Sequence, residues 1–262
     1  MPDSLFLFCP INNELRRTWL KKILIDSEVY FRSREQLNDP HELRPKIIFE
    51  GSDKQIREYV RRLLNTGAPR LSPAKRLLEE SRFIYRLRNG VGAFENTLHD
   101  LLDRIGLLCL SESWEDTLLW SHYADGHRGV CIEFDANVGL FSIAQQVHYT
   151  DQVPLVNRLI DSNEDILQKS MYTKNIAWKY EQEWRVIARW QDAARIERHL
   201  ARHAMPESVR RFMEDQHGSG YYSFPTGAIR SVILGTRIDP DVEKWVRETL
   251  RSAQLDFPIR KR

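Results

Sequence analysis

The sequence predicts an α+β protein: a mixed, mostly antiparallel central sheet with helical insertions. Three observations predict it. Compact apolar runs of strand length, IGLLCLS at 105–111, GVCIEF at 129–134 and the run at 229–234, are bounded by turn residues. Helical patterns fall between them without the regular alternation that a doubly wound parallel sheet requires. The stretch from about 53 to 103 is rich in Arg, Leu and Glu, with prolines between periodic segments, and reads as two or three amphipathic helices inserted into the fold. The whole chain, 1–262, is expected to form a single domain around that insertion.

In chain order, Leu5 to Phe8 is an apolar run closed by Pro10, and Asn12 and Asn13 offer a cap for a helix in which Leu15, Trp19, Ile23 and Leu24 recur at helical spacing. Val29-Tyr30-Phe31 gives a second short strand, and Asn38-Asp39-Pro40-His41-Glu42 breaks the chain into a turn. After the helical insertion and the strand at 105–111, residues 113–123 read as a helix, with Gly126 and Gly129 marking the turn into GVCIEF. Val147 to Tyr149 follows as a strand, Leu159 to Met171 as a helix, and Glu183 to Arg189 as an alternating strand. A basic helix from about Ala194 to Glu214, a turn at Gly218 and Gly220, the strand at 229–234 and a helix opened by Pro240 complete the pattern.

Lys and Arg total 39 against 37 Asp and Glu, a net charge of +2, so charge alone does not single out a nucleic-acid partner. No stretch approaches the ~20 apolar residues of a membrane span, and the N-terminus lacks the pattern of a signal peptide, which points to the cytoplasm. Three widely separated cysteines in apolar runs read as buried thiols, and no metal-ligand spacing is visible among the histidines.

Three segments carry polar groups suited to chemistry. The first is the Asn38-Asp39 turn. The second runs from Ser111 and Ser113 through Trp120, His122 and Tyr123 to His127 and Arg128, placing hydroxyls, rings and cations at a helix end; Arg128 has the planar fork that suits an oxyanion. The third is Trp178-Lys179-Tyr180-Glu181-Gln182-Glu183-Trp184-Arg185. If 180–185 is extended, Glu181, Glu183 and Arg185 share one face, either as a salt-bridged solvent face or as the wall of an aromatic pocket with a working carboxylate.

Taken together, NDPHE, LCLSES, LWSHYADGHRGVCIEFD, VHY, WKYEQEWRVIA and VILGTRI resemble, in the same order from about Phe6 to Leu250, the bacterial family catalogued as domain of unknown function 2971. Residues 53–103 and 191–222 look like additions to it. The first strand departs from the family pattern, since Phe6-Leu7-Phe8-Cys9 stands where members often carry Tyr or His. The arrangement also resembles, remotely, the ADP-ribosyltransferases, including DNA-modifying toxins: Glu181-Gln182-Glu183 matches their Glu-x-Glu element and Ser111-Glu112-Ser113 their Ser-x-Ser element. That resemblance implies an ADP-ribosyltransferase-like sheet and transfer of ADP-ribose from NAD by a toxin or phage-defence effector, with RNA or DNA as a possible acceptor and an antitoxin or chaperone as a possible partner. It would assign the ribose carboxylate to Glu183, orientation or deprotonation of the acceptor to Glu181, nicotinamide stacking to Trp120 or Tyr123 with His122 beside them, and phosphate to Arg32 or Arg128. Asn38 and Asp39 would close over the ribose. Arg195, Arg198, Arg202, Arg210 and Arg211 mark a basic stretch that either meets the acceptor or is a solvated helix face.

Two alternatives stand beside this reading. One is a non-catalytic module that binds a nucleotide or a partner protein through the Trp and Tyr residues. The other is a hydrolase or nuclease using Asp39, Glu42, Glu181 and Glu183 around a divalent ion.

Overall fold

The structure, a computed structural model, describes residues 1–90, 92–188 and 206–262. The first half of the chain forms β1 (Ser4–Cys9), α1 (Glu14–Leu24), β2 (Glu28–Phe31), β3 (Lys46–Ile48), α2 (Asp53–Gly67), α3 (Pro73–Asn89), α4 (Gly92–Leu102), β4 (Gly106–Ser111), α5 (Thr117–Tyr123) and β5 (Val130–Asp135). It continues with β6 (Gln145–Gln146), β7 (His148–Thr150), β8 (Leu155–Asn157), α6 (Asn163–Met171), β9 (Thr173–Asn175), β10 (Glu183–Ala188), α7 (Glu207–Glu214), β11 (Gly220–Ser223), β12 (Ile229–Leu234), α8 (Pro240–Ser252) and β13 (Ile259–Lys261). These elements divide into two compact units, one of Met1–Pro40, Arg104–Tyr149 and Ile176–Arg262, the other of His41–Asp103 and Thr150–Asn175.

The first unit is built on a seven-stranded sheet in the order β13-β12-β5-β1-β4-β10-β6. Its β12–β13 pair is parallel and its other pairs are antiparallel, so the mixed, mostly antiparallel α+β architecture is present. β4 and β5 are buried on both faces, which is why they read as continuous apolar runs instead of alternating ones. On one face Leu5, Leu108, Leu110, Ile132, Phe134, Val186 and Val232 pack with Leu20, Ile23 and Leu24 of α1 and Val246 and Leu250 of α8. On the other, Phe6, Phe8, Cys131 and Ile233 pack with Leu119 and Trp120 of α5. Each such side chain contributes about 1.5–3 kcal/mol by leaving water. β1 and β4 meet only at Phe6 and Ser111; four residues earlier, Leu107 instead exchanges two backbone hydrogen bonds of 2.8 Å with Arg32.

The second unit packs α2 against α3 around Ile56, Tyr59, Val60, Leu64 and Leu87, beside the short parallel pair β3–β8. Ser52 and Gln55 form a reciprocal capping box at the start of α2. Glu80 of α3 is buried and receives Arg61 at 3.0 Å and Arg57 at 3.6 Å from α2, which ties the two helices together. The helices expected in 53–103 are α2, α3 and α4.

Several boundaries differ from the sequence reading for identifiable reasons. The helix expected from 113 begins at Thr117, because the Asp116 carboxylate accepts from the backbone N–H groups of Leu118 and Leu119 and fixes the start there. The helix expected from 159 begins at Asn163, where Ser162 and Asp165 form a capping box. The extended reading of 180–185 is overturned: Ile176–Glu181 winds into a 3₁₀ helix and Gln182 sits at φ 44°, so β10 starts only at Glu183. Of the expected basic helix, Arg195, Arg198 and Arg202 lie outside the described residues, while Arg210 and Arg211 are on α7. Among the described residues, no helix is long and apolar enough to cross a membrane.

Candidate functional site

α5 ends in a left-handed run, with Asp125, Gly126 and His127 at φ 51°, 58° and 70°. This turn separates the polar residues that the sequence places together. His127 folds back over Trp120, with ring centroids 6.4 Å apart and planes 10° apart. Arg262 donates from Nη1 to His127 Nδ1 at 2.9 Å, which leaves Nε2 to carry the proton and donate to Ser121 Oγ at 3.2 Å; Ser121 Oγ in turn donates to the Thr117 carbonyl at 2.9 Å. Burial and the charges of Arg262 and Arg237 hold the His127 pKa below its ordinary value. His127 is thus a neutral structural histidine, pointed away from the group formed by His122 and Tyr123.

Tyr123 and His122 turn toward the 3₁₀ helix instead. The Tyr123 hydroxyl donates to Glu181 Oε1 at 2.5 Å and accepts from Asn38 Nδ2 at 2.5 Å. Trp178 Nε1 donates to Asp39 Oδ2 at 3.0 Å. His122, Tyr180 and Trp178 follow one another, each ring tilted 40° to the next, with centroid separations of 6.3 and 6.1 Å. Three segments far apart in the chain, 38–39, 122–123 and 178–181, therefore meet in one polar and aromatic group. Glu181 is 5% exposed, Tyr123 is half-buried and Asn38 is exposed, so the carboxylate lies just under the surface behind the tyrosine hydroxyl and the amide.

Glu183 has a different setting. Both its carboxylate oxygens accept from Arg185, Oε1 from Nε at 2.6 Å and Oε2 from Nη2 at 3.1 Å, and the two side chains are 3% and 0% exposed. The pair is a bidentate ion pair inside the protein, not on a solvent face. Burial pulls the Arg185 guanidinium down to about 9, which still leaves it charged at neutral pH. The Glu183 backbone N–H donates to the Tyr149 hydroxyl at 2.8 Å, anchoring the first residue of β10.

The remaining sequence candidates are placed as follows. Ser111 is buried and donates from Oγ to the Glu181 carbonyl at 2.7 Å while accepting from the Ser113 N–H at 3.1 Å, so it holds the backbone that carries Glu181. Trp120 is fully buried, edge-on to Phe8 at 5.3 Å, with Nε1 donating to the Trp114 carbonyl at 2.6 Å; it is core and offers no face to a ligand. Arg128 is exposed, with Nη1 3.5 Å from the Asp125 carbonyl. Arg32 lies beyond β2 next to Leu107, near Cys9 and Arg16. Tyr149 and Arg262 were not singled out from the sequence. Each acts on a residue 34 or 135 positions away, a separation at which no local spacing carries a signal.

Among the described residues, no group of three or more His, Cys, Asp and Glu side chains is arranged to hold a metal ion. The carboxylates of the hydrolase alternative have partners of their own: Trp178 for Asp39, Lys174 at 3.6 Å for Glu42, Tyr123 for Glu181 and Arg185 for Glu183.

Residues 119–186 match the model of a family described as a protein of unknown function (DUF2971). The matched segment begins in α5 and ends in β10, and it contains Tyr123, Trp178, Tyr180, Glu181 and the Glu183–Arg185 pair. No curated protein and no solved structure matches the chain.

Proposed function

We propose that the chain is an NAD-dependent ADP-ribosyltransferase in which Glu181, not Glu183, is the carboxylate that meets the ribose. The observation that carries this reading is the Asn38–Tyr123–Glu181 chain of hydrogen bonds, which orients one carboxylate oxygen beside a row of rings. In the reaction the bond between ribose C1′ and the nicotinamide nitrogen breaks, its electron pair leaves with nicotinamide, and positive charge develops on the sugar. An oriented carboxylate stabilises that charge. The acceptor atom then bonds C1′ and gives its proton to Glu181. Tyr123, His122 and Tyr180 are the rings available to nicotinamide. Glu183 serves through Arg185, as part of the buried support beneath the 3₁₀ helix. The toxin or defence role and the nucleic-acid acceptor follow from the resemblance to ADP-ribosyltransferases, as does an ADP-ribosyltransferase type for the sheet.

The test is nicotinamide release from NAD by the parent, Glu181→Gln and Glu183→Gln, with RNA, DNA and protein pools as acceptors. Glu181→Gln is expected to lose at least about 100-fold in rate while keeping its melting temperature. Release at the parent rate from that variant overturns the assignment. A second reading, a non-catalytic module for a nucleotide or partner, is favoured by the depth of Glu181 and by the neutralisation of Glu183; folded parent protein that binds NAD without releasing nicotinamide would establish it.

A further inference from the structure

The run Arg16-Arg17-Thr18-Trp19-Leu20-Lys21-Lys22 sets one aromatic residue among four cations. On α1, positions three apart share a flank, so Arg16, Trp19 and Lys22 line up beside the buried face made by Leu20, Ile23 and Leu24. The Arg16 guanidinium lies 4.2 Å over the Trp19 ring. Next to it, Tyr30 of β2 and Tyr221 of β11 are register partners on the side of the ribbon opposite the core residues Phe31 and Tyr222. Trp19 and Tyr30 are parallel within 6° at 6.4 Å, and Tyr30 and Tyr221 are 5.1 Å apart, so three half-buried rings adjoin across helix and ribbon.

The charges around these rings are unevenly matched. Lys22 is offset by Glu28 at 2.8 Å and Asp26 at 3.9 Å. Among the described residues, neither Arg16 nor Arg32 has a carboxylate partner, and burial first, then the charge of Arg32, hold the Arg16 pKa below its ordinary value. Two like charges held together without an anion cost free energy that a phosphate would return.

We infer that this face of α1, β2 and β11 binds a single-stranded nucleic acid, with bases on the Trp19, Tyr30 and Tyr221 rings and phosphates on Arg16 and Arg32. Rings interleaved with guanidinium groups suit unpaired bases and their backbone. A duplex hides its base faces, and a mononucleotide has too little ring surface for three aromatic side chains. The two readings share Arg32, which the resemblance offers to the NAD phosphates, but this inference rests on the Trp19, Tyr30 and Tyr221 rings and is tested without NAD.

The test is fluorescence anisotropy with a labelled mixed-sequence oligonucleotide of about twelve nucleotides, as RNA and as DNA, over a range of salt. Parent protein is expected to bind the single strand more tightly than the same sequence as duplex, and the tighter of the RNA and DNA arms names the source. Trp19→Ala is expected to weaken binding about tenfold. Arg16→Gln, at a half-buried position whose loss leaves the core intact, is expected to lower the salt slope by about 0.7, the value for one phosphate contact to a single strand. Arg251→Gln, on α8, should leave both quantities unchanged. Absence of binding by the parent, equal affinity for duplex, unchanged affinity in both α1 variants, or competition by AMP at the same concentration of nucleotide as the strand would each overturn the inference.

Discussion

Removing the Glu183 carboxylate leaves the Arg185 guanidinium charged where no water reaches it. Breaking one half of such a pair costs roughly 3–5 kcal/mol, whereas replacing both halves with apolar side chains of similar volume is often neutral. Glu183→Gln should therefore lower the urea midpoint strongly, and Glu183→Leu with Arg185→Met should recover much of the loss. A double variant as unstable as the single one would show that the pair is needed for more than mutual neutralisation. Tyr123→Phe keeps the ring and removes the hydroxyl between Asn38 and Glu181; on the proposed reading it should slow nicotinamide release at least about tenfold with a stability change of about 1–2 kcal/mol. His127 gives a pH signature. Its folded pKa is lowered, so below the unfolded value of about 6.5 the unfolded chain binds the proton first. Its contribution to stability is present above that pH and lost as pH falls through the folded value, and His127→Gln should flatten the profile in that window. An NMR titration placing His127 above 6.5 would contradict this. The residue types of the site were legible in the sequence, but their grouping was not: Tyr123 and Glu181 are 58 positions apart and Asn38 and Tyr123 are 85 apart, and the turn that sends His127 away from Tyr123 depends on three consecutive left-handed residues.

At the scale of elements, that turn ends at Gly129, where an added Cβ would stand 2.3 Å from the Cys9 carbonyl of β1. Backbone atoms cannot give way cheaply there, so Gly129→Ala should destabilise the fold by more than about 2 kcal/mol, read from thermal or urea melts. The open position Gly227 meets nothing within 4 Å, and alanine there serves as the control. Strands β4, β5 and β12 were legible because burial on both faces forces long apolar runs, and β10 because its residues alternate. Among the two- and three-residue strands, β7 was anticipated at 147–149, whereas β3, β6, β8, β9 and β13 were not, since so short a segment has little period to read and gains its strand geometry from a neighbour. Helix starts were displaced wherever a capping side chain, such as Asp116 or Ser162, outweighed the apolar pattern before it.

For the whole molecule, the thiols report on global integrity. Cys131 lies fully buried in the middle of the sheet, and apolar surroundings push the Cys9 thiol up to about 12. Cys9 and Cys109 are only half-buried, against the expectation of three buried thiols, whereas Cys131 should not react with a thiol reagent at pH 8 until the first unit unfolds, so its labelling rate should follow the unfolding equilibrium measured by urea. The same burial sets an alkaline limit. Above about 9 the unfolded chain releases protons that the folded protein retains, and stability falls as pH rises from there toward the folded values. Identical urea midpoints at pH 8 and pH 10 would contradict this.

The sheet order also fixes a timetable for biosynthesis. β1 is made before β4 and β5, yet it lies between them, and Ser4 meets Glu133 across 129 positions of chain. At roughly 5–20 residues per second, the apolar strand LFLFC emerges from the ribosome many seconds before either neighbour exists to pair with it. Nascent β1 is thus an exposed adhesive edge for much of translation, and the chain should depend on a holding chaperone during synthesis more than its finished stability would suggest.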